Sequence, residues 1–135
     1  MRNINKIIVH CSATKEGKAF TANDITRWHK ERGFATIGYH YVVLLDGTIQ
    51  QGRAEMVIGA HCKGYNANSI GVCYIGGLDV NNNPKDTRTE EQKKALLTLL
   101  KRLKADYPKA TIHGHREFAT KACPCFDAKT EYADL

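Results

Sequence analysis

The segment at residues 113–127, HGHREFATKACPCFD, places two histidines, two cysteines and a lysine within one short stretch. Neutral imidazole and thiolate are the side chains zinc prefers, and a catalytic zinc needs only three protein ligands, leaving its fourth position for water or substrate. His113 and His115 are two apart and on a strand would share a face, while Cys123 and Cys125 are separated by Pro124 alone. Residue types therefore leave open which of each pair binds. A further ligand has to come from a distant segment, and His10 is the best placed. It closes the apolar run Ile7, Ile8, Val9 and is followed by Cys11, Ser12, Ala13 and Thr14, the pattern of a strand running into a loop. The competing reading, buried histidines and inert core cysteines, is not excluded by composition.

Holding such residues in place requires a core. A chain of 135 residues suits a single domain spanning 1–135, and neither a repeat nor a low-complexity tract is visible. Its formal charge of +6 and pI near 9.1 imply attraction to polyanions such as nucleic acid, anionic lipid or acidic envelope polymers. The basic residues are scattered, apart from Lys93, Lys94, Lys101, Arg102 and Lys104, which read as the solvated face of a helix. Nucleic acid is accordingly not the expected partner. Arg2 and Lys6 precede an apolar run too short for a signal-peptide core, and no stretch has the length of a membrane span. The expectation is a monomer made and kept in the cytoplasm of its producer. Five cysteines are an odd number, so reduced thiols are expected, with Cys11, Cys62 and Cys73 as small buried or cleft-side residues.

The elements that must position these groups follow from pattern and punctuation. Residues 4–11 read as a buried strand. Thr21 and Asp24 form a capping box that opens a helix through about Arg32, closed by Gly33. Residues 39–45 and 48–51 flank Asp46-Gly47, a strong hairpin signal. Residues 70–75 are a further apolar strand ended by Gly76-Gly77, and residues 78–88 are a polar, turn-rich loop. Leu96, Leu99, Leu100, Leu103 and Tyr107 recur at helical spacing over residues 89–107, before Pro108. A short strand at 110–112 then delivers His113 and His115 to the sheet edge. The order predicts an α/β fold, a central mixed sheet flanked by helices.

Four blocks, IIVHCSAT at residues 7–14, GYHYVVLLDGTIQQGR at 38–53, GAHCKGYNANSIGVCYIGG at 59–77 and GHREFATKACPCFD at 114–127, occur in order. Together they resemble the zinc-dependent N-acetylmuramoyl-L-alanine amidases of the type 2 family, above all the short phage lysozymes, which are related to the peptidoglycan recognition proteins. The resemblance covers residues 6–127. It implies zinc as cofactor, with His10, His115 and Cys123 as its ligands, and leaves His113 and Cys125 as structural neighbours. Cys125 stands where a close relative would carry serine. Tyr39 and Lys121 match the tyrosine and lysine that these enzymes place beside the metal, where a phenol or an ammonium would stabilise a developing oxyanion. On residue type alone, Tyr39 would be a half-buried strand aromatic and Lys121 an exposed loop charge.

The resemblance also implies that His61, Lys63, Tyr65 and Asn66 line a groove for muropeptide; by position, His40 on a strand reads as the edge of that groove and His29 on the first helix as packing. The expected reaction is hydrolysis of the amide between N-acetylmuramic acid and L-alanine in peptidoglycan. The setting it implies is a phage or prophage endolysin that reaches the wall once the inner membrane is breached. The short chain, with no length for a separate wall-binding domain, suits a thin Gram-negative wall. Two rivals follow from the same superfamily. One is a noncatalytic peptidoglycan-binding module, disfavoured by the retained Cys123 and Lys121. The other is a regulator of a phage RNA polymerase, for which the six residues ahead of the first matched strand provide little of an N-terminal arm.

Overall fold

The computed structural model describes residues 2–135. Strand β1 (Lys6–Cys11) lies inside the sheet, where its run of apolar residues is covered on both faces. It is followed by β2 (Thr14–Lys15), α1 (Ala22–Glu31), β3 (Tyr41–Val43), β4 (Ile49–Gln51), β5 (Ser69–Tyr74), β6 (Gly77–Leu78), α2 (Glu90–Asp106), β7 (Thr111–Gly114) and α3 (Ala128–Glu131). The main sheet has the order β4-β3-β5-β1-β7. All its pairings are parallel except that of β3 with β4, so the expected mixed sheet is present.

Alternation along the strands divides the sheet into two faces. Ile7 and Val9 of β1, Ile70, Val72 and Tyr74 of β5, and Tyr41 and Val43 of β3 meet Leu96, Leu99, Leu100 and Leu103 of α2. Val42 and Cys73, with Ile75, belong to a second cluster with Ile25 of α1 and Ile37. His10 pairs with Cys73 across the register, which sets it on this second face. Burying each α2 leucine contributes about 1.5–3 kcal/mol, whereas the exposed Glu90–Lys93 pair at 3.7 Å adds a few tenths at most. Packing, not surface charge, holds α2 on the sheet.

Local signals act as expected at the capping box, where the Thr21 N–H donates to the Asp24 carboxylate at 2.8 Å, and at Asp46-Gly47, where Gly47 takes φ +88°. The sequence reading also needs corrections. The first strand starts at Lys6, two residues later than expected, and the small parallel pair of β2 with β6 and the helix α3 were not anticipated. Tyr39 lies ahead of β3, because the Gly38 N–H donates to His29 Nδ1 and its carbonyl accepts from Ala60. Strand β7 continues through His113, and His115 begins a 3-10 turn, so the two histidines do not share a strand face.

A second capping box, Thr89 with Gln92, ties α2 to the sheet. The fully buried Gln92 accepts from the Thr89 N–H at 2.9 Å and donates to the carbonyls of Ile75 at 2.9 Å and Val43 at 3.2 Å. Gln92→Leu keeps the volume but removes the partners of Thr89 and Ile75. It should lower stability by about 2–4 kcal/mol, measured by denaturant unfolding. A loss within experimental error would show that the amide is dispensable.

Candidate metal centre and catalytic cleft

Three donors converge at the carboxyl ends of β1 and β7. His10 is the penultimate residue of β1, His115 follows β7, and Cys123 sits in the loop after the 3-10 turn. Their ligand atoms all lie within 4.8 Å of one another, the one such group of three among the described residues. Metal–ligand bonds of about 2.0–2.3 Å let a single ion reach all three. The chemistry of the set fits zinc. Burial, then His61, His115 and Lys121, pushes the His10 imidazole well below its usual range, and burial followed by Lys121 lowers that of His115. Both rings are therefore neutral near pH 7, as ligation requires. The Cys11 N–H donates to Cys123 Sγ at 3.2 Å, which ties the sulfur to the end of β1 beside His10.

The geometry also separates the members of each ambiguous pair. Both nitrogens of His113 are engaged, Nε2 with Thr111 Oγ1 at 2.6 Å and Nδ1 with Glu117 at 2.8 Å. The other Glu117 oxygen accepts from the Gly114 N–H at 2.7 Å and so braces the turn that carries His115. Cys125 Sγ donates to the Gly77 carbonyl at 3.3 Å and lies 4.0 Å from Cys11 Sγ, outside the donor group. Burial and the neighbouring Cys11 push its thiol up to about 12, so it stays protonated.

Beside the donors opens a cleft of about 420 Å³, lined by Tyr39, His61, His115 and Lys121 among others. The Tyr39 ring is 5.0 Å from that of His10. Burial, then the thiols of Cys73, Cys123 and Cys11, raises its hydroxyl well above the ordinary range, so it remains a phenol able to donate a hydrogen bond. Lys121 is exposed on the loop two residues before Cys123 and faces the same cleft.

Of the anticipated groove residues, Lys63 and Asn66 line the cleft with His61. Asn66 Oδ1 accepts from the backbone N–H groups of His61 and Cys62, both at 2.9 Å, so its amide braces the loop. Tyr65 stacks on Phe118 with ring centroids 4.3 Å apart, outside the cleft lining. His40 has no place at the edge. It is completely buried and absent from the cleft lining, with Nδ1 accepting from the Gly71 N–H and Nε2 against the Val57 carbonyl and Arg2, so its ring nitrogens are spent inside the fold. Conversely, Arg32, Phe34 and Phe118 line the cleft, as does His29, expected only to pack. Neither spacing nor composition marks them, since they come from the end of α1 and the loop beyond β7.

The chain belongs to the N-acetylmuramoyl-L-alanine amidase family, whose model matches residues 1–126. It is 47% identical over 123 residues to the endolysin of Escherichia phage T7, covering 91% of this chain and 82% of that one. With the endolysin of Klebsiella phage KP32 the identity is 45% over 125 residues, covering 93% and 83%. An N-acetylmuramoyl-L-alanine amidase from Clostridium intestinale URNW superposes with a TM-score of 0.82 at 29% identity, over 96% of this chain and 82% of that one. A Drosophila PGRP-LB variant in complex with tracheal cytotoxin does so with a TM-score of 0.82 at 25% identity, over 100% and 83%.

The donor geometry makes a differential prediction for the two adjacent thiols. Cys123→Ser should lose stoichiometric zinc, whereas Cys125→Ser should keep it. Metal analysis of the purified, folded variants checks this, and the opposite pattern would reverse the assignment.

Proposed function

We propose that this protein is a zinc-dependent N-acetylmuramoyl-L-alanine amidase that cleaves the amide between the lactyl group of N-acetylmuramic acid and the L-alanine of the peptidoglycan stem peptide. The observation that carries this reading is the joining of a three-donor group, His10, His115 and Cys123, to a cleft that also holds Tyr39 and Lys121. Its likeness to phage endolysins supports an endolysin role, with production in the host cytoplasm and action at the wall. Among the described residues no helix is long and apolar enough to cross a membrane.

Zinc bound by His10, His115 and Cys123 would supply a Lewis acid and an acidified water at neutral pH. The chain's own groups complete the site. The Tyr39 phenol, kept protonated by burial, donates toward the carbonyl oxygen of the scissile amide as negative charge develops on it. The Lys121 side chain reaches the same cleft from the solvent side and adds positive charge where the oxyanion forms. Both interactions strengthen between ground and transition state, so they act on turnover more than on substrate affinity. Lys63 and Arg32, also in the cleft wall, would meet the carboxylates of an acidic stem peptide.

Digestion of purified peptidoglycan should release peptides with an L-alanine amino terminus and leave the glycan strands long, as read by mass analysis. Disaccharide-peptides as the main product would sink the proposal. Chelation should abolish the activity and zinc should restore it.

Lys121→Ala should fold and retain metal while losing on the order of a hundredfold or more in kcat, with a smaller change in KM. A folded, metal-replete variant with wild-type turnover would return Lys121 to the role of a solvated loop residue.

A further inference from the structure

His61 was expected to touch substrate, yet both of its ring nitrogens are already occupied. Its Nδ1 lies 2.8 Å from His10 Nε2 and its Nε2 lies 3.2 Å from Ser69 Oγ. All three side chains are buried, His10 at 1%, His61 at 9% and Ser69 at 0% exposure. Only an edge of the imidazole reaches the cleft wall, and no nitrogen is left over for a ligand there.

The ring is held by more than these two bonds. Asn66 clamps the backbone on either side of it, and two glycines leave the slot it fills. A Cβ on Gly71 would come within 2.6 Å of the ring, and one on Gly59 within 2.7 Å of its Cδ2. Ser69 and Gly71 both belong to β5, so the strand paired with β1 at His10 also seats the partner of His10.

We propose that His61 is a positioning residue that orients His10 for metal binding, through a buried hydrogen-bond chain from His10 to His61 to Ser69. The proposal rests on the zinc reading above. With Nε2 of His10 committed to His61, Nδ1 is the nitrogen whose lone pair is free for a metal. A neutral His10 that binds through Nδ1 carries its proton on Nε2 and donates it to His61 Nδ1. The proton of His61 then sits on its own Nε2 and points to the Ser69 hydroxyl. One tautomer of each ring satisfies the whole chain. Partners of this kind fix the ring of a ligand histidine and raise its basicity, and their loss typically weakens metal binding by about 10–100-fold.

Three measurements on wild type, His61→Ala, His61→Asn and Ser69→Ala test this. The nitrogen NMR spectrum of the metal-free protein reads the tautomer of His10, chelator competition reads zinc affinity, and zinc-saturated kinetics separate kcat from KM. Wild-type His10 should be protonated at Nε2 and become a tautomer mixture in His61→Ala. Zinc affinity should fall about 10–100-fold in His61→Ala, recover in large part in His61→Asn, whose amide oxygen can accept in place of Nδ1, and fall less in Ser69→Ala. Unchanged zinc affinity with a raised KM in His61→Ala would instead make His61 a substrate contact. Equal zinc loss in the Ala and Asn variants, with the His10 tautomer unaltered, would reduce it to packing. If His61→Ala does not fold, the wild-type tautomer and the His61→Asn affinity still decide. A wild-type protein that binds no zinc would sink the zinc reading itself, while the metal-free tautomer would still report whether the chain operates.

Discussion

Two neutral imidazoles and a cysteine sulfur must be held within 4.8 Å of one another, beside a lysine, without collapsing onto each other. Burial does most of this. A charged imidazole in the sheet interior would lose its hydration with no anionic partner, so His10, His61 and His115 are all driven toward the neutral form, His61 to about 3. Neutral but buried rings still demand hydrogen bonds. The bonds from His61 to His10 and Ser69 meet that demand and aim the ring at the same time.

Rigid placement then becomes a problem of the sheet. Strand β1 is clamped between two parallel neighbours, and its alternation directs His10 away from the leucines of α2. The loop bearing Cys123 has no such ladder and is secured by side chains. The buried Tyr74 hydroxyl donates to the Pro124 carbonyl at 2.6 Å. Further along, the Arg88 guanidinium lies 3.4 Å from the Phe126 ring centroid and bonds Asp86, Glu131 and the Tyr132 hydroxyl. Because the Arg88 guanidinium is buried, its desolvation offsets much of its attraction to the two carboxylates in these ion pairs. Their consequence is geometric: they join the end of the chain to the segment before α2 and hold the cysteine loop against β1.

The cleft divides its tasks by solvent access. Tyr39 is half-buried and keeps its proton, while Lys121 is exposed at the rim of the cleft. His10 lies on a strand and His115 directly after one, whereas Cys123, Tyr39 and Lys121 lie on loops, where the chain can vary without disturbing the core.

The main elements and the donor types were legible in the sequence, though the β2–β6 pair and α3 were not. Apolar runs, the capping box at Thr21, the Asp46-Gly47 turn and the leucine spacing of α2 are short-range signals, each carried by neighbouring residues, and they suffice for the α/β class. The ordered blocks also singled out His10, His115 and Cys123, which the structure brings together. Only the tertiary structure decided how the histidines are used. Whether His40, His61, His113 or His29 is a ligand, a brace or a cleft wall depends on which nitrogen finds which partner across 8 to 51 residues of chain, except for His113, whose partners are local. A histidine looks the same in sequence in every one of these roles, because its function is set by the hydrogen bonds of its two nitrogens, and those exist only once the strands are paired.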